Sequence, residues 1–198
     1  MGSMALNRTR LAAAAAVLLA ASAVVVAAQQ APAPDDPYPG SGLTRQQIMD
    51  QLTAADYQSK GSAEQGKVWF QALCGNCHIF GELGNSVGPD LSTVGSRFAR
   101  RDLLESVLFP SKTISDQYAM VVLTLDDGST VSGLIAREDP QVVFIRTATQ
   151  PGGRGVPIAA ERIKDRKDAT VSMMPDGLVA GLKPEQIDSL IAFMLTGK

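Results

Sequence analysis

Cys74-Gly75-Asn76-Cys77-His78 places two thiols two residues apart with an imidazole directly after them, the attachment signature of a c-type haem. The spacing serves the chemistry. One helical turn presents both thiols to the two vinyl groups of a porphyrin, and the next residue brings its imidazole to the iron. These are the only two cysteines and the only histidine in 198 residues. A structural zinc needs four protein ligands, and no further Cys or His exists to complete the set. A thioredoxin-like dithiol would use Cys74 and Cys77, but it leaves His78 without a role and calls for a βαβ pattern that the sequence does not show.

An imidazole ligand must have its second nitrogen held, commonly by a backbone carbonyl. Pro89, in Gly88-Pro89-Asp90-Leu91, is the candidate: it has no N–H to compete, and its fixed φ steadies the carbonyl. With no second histidine, a sixth ligand must come from the seven methionines. Met1, Met4 and Met49 precede the motif, Met120 opens a strand, and Met194 sits on the apolar face of the last helix. That leaves Met173 and Met174 in a loop ahead of Pro175, and Met174 is preferred because the proline stiffens the chain beside it. Imidazole and thioether together raise the iron's potential and close it to outside ligands, as electron transfer requires. If both methionines merely fill core gaps, the site is open to small ligands.

Several elements must position these groups. Thr44-x-x-Gln47 is a capping box for a short helix bearing Ile48 and Leu52 and ending near Lys60. A second helix, Ser62 to about Leu73, delivers the chain to Cys74; Gly66 on it allows a close helix crossing, with Phe193 as partner. A third runs from about Arg101 to Leu108 and stops at Pro110. From Tyr118 the period becomes that of strands: Val121–Leu125, an Asp126-Asp127-Gly128 turn, Thr130–Ile135, Val142–Ile145, then a turn at Pro151–Gly155 and a short strand at Val156–Ile158. Residues 162–167 read as a solvated charge run. The last helix opens on Pro184 and repeats Ile187, Leu190, Ile191, Met194 and Leu195 at helical spacing, with Lys183 where a capping hydroxyl is expected.

Upstream, Asn7, Arg8 and Arg10 precede an apolar run from Leu11 to Ala28 that ends in small residues, so residues 1–28 read as a secretory signal. The alternative is an uncleaved membrane tether through residues 11–28, whose length approaches the roughly 17–25 residues of a span. Export suits covalent haem attachment, which takes place outside the cytoplasm, and points to a periplasmic location. Without residues 1–28 the chain loses two arginines and no acids, so the net charge of −2 becomes −4. That mild acidity argues against a nucleic-acid partner. Residues 29–60 follow as a proline-rich linker (29–42), extended and mobile, and a short helix. Residues 61–198 then form one domain, which carries the haem-attachment motif.

The ordered set of motifs resembles class I cytochrome c. Gly66-x-x-x-Phe70-x-x-x-Cys74-x-x-Cys77-His78 is similar to that family's first helix, and Leu190-Ile191-Ala192-Phe193-Met194 to its last. A closer resemblance is to the haem-binding domain of the Planctomycete/Verrucomicrobium type, found at the C-terminus of membrane-bound dehydrogenases. It rests on Val87-Gly88-Pro89-Asp90-Leu91, Leu103–Ser111, Tyr118, Asp127-Gly128, Gly133-Leu134 and Met173-Met174-Pro175-x-Gly177-Leu178, and covers roughly residues 62–196. The resemblance implies a mainly α fold with a β insert (α+β): a class I cytochrome c helical fold interrupted by a small antiparallel β meander or barrel at residues 118–170.

The expected site is one haem c attached through Cys74 and Cys77, with His78 and Met174 on the iron, Pro89 orienting His78, and Arg97 beside a propionate unless it is an ordinary surface arginine. No residue is assigned a catalytic role. No dehydrogenase domain precedes the motif in this chain, so the expected function is a free-standing or tethered carrier. It would take electrons from a dehydrogenase and pass them to an oxidase or another cytochrome. The rival is a ligand-binding or peroxidatic haem protein. The β insert is expected to be scaffold, with partner binding as its alternative role.

Overall fold

Helices begin where side chains can satisfy the unpaired N–H groups of a first turn. Thr44 Oγ1 accepts from the Gln47 N–H at 3.2 Å and Gln47 Oε1 accepts from the Thr44 N–H at 2.8 Å, opening α1 (Arg45–Thr53) with the expected capping box. Its end falls at Thr53, well before Lys60. The computed structural model describes residues 35–147 and 154–198. The apolar N-terminal run at 11–28 and most of the Pro151–Gly155 turn lie outside the described residues. Of the segment expected to be a mobile linker, Tyr38 is fully buried.

α2 (Ala63–Trp69) is capped by Ser62 and runs into a single wide turn, Phe70–Cys74, closed by Gly75 N–H donating to Phe70 O at 2.8 Å. Such five-residue turns inside helices recur at functional sites. A hairpin of β1 (Ile79–Phe80) and β2 (Leu83–Gly84) follows, then α3 (Val94–Arg97) and α4 (Arg100–Leu108). α5 (Pro184–Met194) starts without a capping hydroxyl; Gln186 Oε1 instead accepts the Lys183 N–H at 2.8 Å.

These helices share one core, in which Ile48, Leu52, Phe70, Leu104, Leu108, Ile187, Leu190 and Ile191 are almost wholly enclosed. α2 crosses α5 at Gly66, as its missing side chain predicts. A Cβ there would overlap the Ser189 carbonyl oxygen and stand 2.7 Å from Phe193 Cβ. The Phe193 ring lies 4.4 Å from that of Phe80 and 5.4 Å from that of Phe70, spacings at which aromatic rings attract.

The second layer is an antiparallel sheet of β3 (Val121–Leu125), β4 (Thr130–Glu138), β5 (Val142–Arg146), β6 (Val156–Ala159) and β7 (Ile163–Asp168), in the order β6-β5-β4-β3-β7. Alternate residues of these strands (Val121, Leu123, Leu125, Val143, Ile145, Ile158) form a core separate from that of the helices. β7 is the stretch expected to be a solvated charge run. It pairs with β3 while every side chain after Ile163 stays exposed, and Arg166 reaches Glu138 at 3.0 Å. Charges on an edge strand discourage pairing with another sheet.

The mainly α expectation is therefore corrected. The chain is α+β, with a five-stranded antiparallel sheet, a two-stranded sheet and, among the described residues, five short α-helices of four to eleven residues. It is not a class I cytochrome c helical fold. The physical reason is that the helices stop early, at Thr53, at the wide turn after Trp69 and before Pro110, while the alternating β-branched segments bury a core of their own.

One buried charge locks the helical layer. Asp188 on α5 is 1% exposed and accepts from Tyr57 Oη (2.8 Å), Ser59 Oγ (2.8 Å) and the Lys60 N–H (3.0 Å), and pairs with Arg100 of α4. Burial alone would raise its pKa, but these donors and the guanidinium outweigh it and hold the carboxyl below its ordinary 3.8. Burial and the Asp188 bond push Tyr57 up to about 12, so it remains a donor at neutral pH. A depressed carboxyl contributes stability above its ordinary pKa and loses it as pH falls through the folded value. Asp188→Asn is expected to cost about 3 kcal/mol at pH 7, because it removes one partner of a buried pair. The gap from wild type should narrow below pH 4, where wild type loses the same contribution. Urea titrations at pH 7 and pH 3 check both; an equal gap at the two values would contradict the account.

Candidate functional site

The wide turn at the end of α2 sets the geometry of the motif. Both the Cys77 N–H and the His78 N–H donate to Cys74 O, at 3.0 and 2.9 Å, so the five residues curl around one carbonyl. Val87 and Gly88 then donate their N–H groups to Cys77 O at 2.9 and 2.8 Å, folding the Gly88-Pro89 loop back over the histidine.

His78 Nδ1 lies 2.9 Å from Pro89 O. A carbonyl can only accept, so Nδ1 carries the proton and Nε2 keeps a free lone pair. Gly88 packs against the ring so closely that a Cβ there would be 2.6 Å from Cε1. Burial lowers the imidazole's pKa below its ordinary 6.5, the Pro89 bond opposing in part, and the ring is neutral at pH 7. A neutral imidazole with one nitrogen fixed and the other free is the form that binds a metal.

Burial acts the other way on the thiols. It pushes Cys74 up to about 12, the neighbouring Cys77 adding to the effect, and it raises Cys77 as well. Dithiol exchange needs a thiolate, and reactive Cys-x-x-Cys pairs have lowered values. Both cysteines are free thiols rather than a disulfide. The raised values disfavour the thiolate that dithiol exchange needs.

Cys74, Cys77, His78 and Pro89 line one cavity of about 490 Å³ together with Met173 and Met174, which lie about 100 residues later in the chain. Ligand pockets commonly measure roughly 300–1,000 Å³ and are largely apolar with a few placed polar groups. Val87, Leu73 and Leu178 supply apolar wall, and the His78 imidazole is among the polar groups that line it. The donor set (two thiols, one free imidazole nitrogen, thioethers) suits a covalently held haem.

The methionine loop is tied down at its start. The Ser172 N–H donates to Ser111 Oγ and the Met174 N–H to Ser172 Oγ, both at 3.1 Å. Met174 also packs on the helical core. Past Pro175, Gly177 turns the chain at φ +76°, a left-handed conformation that suits glycine, and carries it toward α5.

Arg97 does not join the others. It is exposed on α3, its Nη2 donates to Asp90 O at 3.4 Å, and its guanidinium faces the Phe98 ring at 5.8 Å. In its place the structure brings in two wall residues from the sheet region, Tyr118 and Leu134. Leu134 is 6% exposed and alternates on β4 with Val131 and Ile135, which pack against the sheet's own core. The two faces of β4 thus serve different purposes. Tyr118 and Gly133-Leu134 stood among the residues carrying the resemblance, but nothing local to them announced a wall. Asn85, which donates to Gly75 O at 3.3 Å, also lines the cavity without having been singled out.

A second cavity, of about 530 Å³, lies beside Tyr57, Lys60, Glu185 and Asp188. It is larger, yet Asp188, the one buried charge in it, already has four donors. No protein-family model matches the chain, and no curated protein matches its sequence.

Proposed function

We propose that the chain is an exported c-type cytochrome with a single haem, passing single electrons from a dehydrogenase-type donor to an oxidase or another cytochrome. The observation that carries this reading is the His78–Pro89 pair. It leaves Nε2 free in the same cavity that Cys74, Cys77 and the two methionines line. When bound, the haem supplies the one-electron chemistry. The chain would do the rest: Cys74 and Cys77 would hold the group covalently, His78, oriented by Pro89, would bind the iron, and Met174 would serve as a second ligand. Leu73, Val87, Leu134 and Leu178 limit water around the site. The apolar run before Gln29 supports export to the periplasm by a cleaved signal, or a tether there if it is retained.

The test is the visible spectrum of the matured protein, oxidised and reduced, with and without carbon monoxide at neutral pH. A low-spin spectrum barely changed by carbon monoxide, with the haem resisting acid-acetone extraction, is expected. Extractable haem would defeat covalent attachment. Rapid, complete carbon monoxide binding would replace the carrier by a ligand-binding or peroxidatic protein.

A further inference from the structure

Residues 38–53 lie outside the region that carries the resemblance, yet they grip the methionine loop. Gly40 donates its N–H to Ala180 O at 2.9 Å, and a Cβ at Gly40 would overlap the Gly181 carbonyl. Arg45, the first residue of α1, is 5% exposed. Its Nη1 donates to Asp176 Oδ1 at 2.7 Å and to Leu108 O at 3.1 Å, and its guanidinium stands 5.2 Å from the Phe109 ring centroid. One buried cation thus joins α1, the end of α4 and the residue two places after Met174. The Ser172–Ser111 bond fixes the other side, so the two methionines sit between two anchors.

We propose that Arg45 is a positioning residue for the methionine ligand: through Asp176 it holds the loop closed over the sixth site. The role rests on the His78/Met174 reading above. Both Arg45 bonds leave the single Nη1, and the flat guanidinium also lies over the Phe109 ring, a stacking that the point charge of a lysine does not reproduce. Without the guanidinium, Asp176, a third exposed, has water as its alternative partner, and the loop's C-terminal anchor is gone.

The test uses the full haem-loaded chain as wild type, Arg45→Met, Arg45→Lys and Asp176→Asn, the last in case the first folds poorly. Amide hydrogen exchange at Met174 and Ala180 should speed up about tenfold or more in Arg45→Met and Asp176→Asn, while amides inside α5 stay within about twofold. Carbon monoxide binding should accelerate alongside, and Arg45→Lys should fall between. Unchanged loop amides, or equal acceleration throughout the chain, would overturn the role. If wild type already binds carbon monoxide at once, that result alone defeats the ligand reading, and the exchange comparison separately upholds or overturns the clamp.

Discussion

Met174→Ala should abolish the sulfur-to-iron absorption band and lower the reduction potential well outside titration error, since axial ligands set haem potentials over a range of roughly 0.8 V. A thioether stabilises the reduced iron, and its loss leaves a site that water or carbon monoxide can enter. Met173→Ala is the matched control, since both side chains line the cavity but only Met174 also packs on the helical core. It should keep the band and shift the potential little. Optical redox titration of both variants decides the assignment. A normal potential in Met174→Ala with a fallen one in Met173→Ala would transfer the ligand to the neighbour, and two normal potentials would remove methionine from the iron altogether.

The other large effect concerns the scaffold. Gly66→Ala forces a methyl group into the Ser189 carbonyl and the base of Phe193, neither of which is the free end of a flexible chain. α2 and α5 must separate, which would loosen the Phe70–Phe80–Phe193 cluster. The expected loss is about 3 kcal/mol, at the upper end for overpacking because backbone rather than side chain obstructs the new atom. Against a total of roughly 5–15 kcal/mol for a natural domain, that is a large share. Gly181→Ala is the control: open space surrounds its Cβ position, and its φ needs no glycine. Chemical denaturation followed by Trp69 fluorescence reads both. A Gly66→Ala variant as stable as wild type would mean that the helices cross more loosely than described.

What could be read in advance divides along physical lines. Cys74, Cys77, His78 and Pro89 lie within sixteen consecutive residues, so the local chain fixes their relation and spacing alone brought them together. The Thr44–Gln47 cap and the apolar face of α5 are likewise local. Elimination among residue types left Met173 and Met174 together, and both line the cavity. The overall class was misjudged for a related reason. The helical motifs are conspicuous, whereas β7 is an edge strand whose charged residues face water on both sides and leave no alternation to detect. Arg45–Asp176 and Tyr57–Asp188 each join residues 131 positions apart, and nothing in either neighbourhood marks the partner. Tyr38 was hidden by company: a single aromatic among prolines and acids looks like linker until a core closes over it.

The burial of Cys74 bears on how such a protein is made. Its sulfur belongs to a side chain only 5% exposed, and as a thiol it holds its proton to about pH 12. A folded chain therefore presents a poor substrate to any machinery that joins thiols to a porphyrin. Under the proposed reading, attachment would have to come while residues 74–78 are still accessible, before the methionine loop and α5, which come last in the chain, have settled. On that reading biogenesis would be a race between modification and folding, in which faster folding of a variant would lower its yield of matured protein.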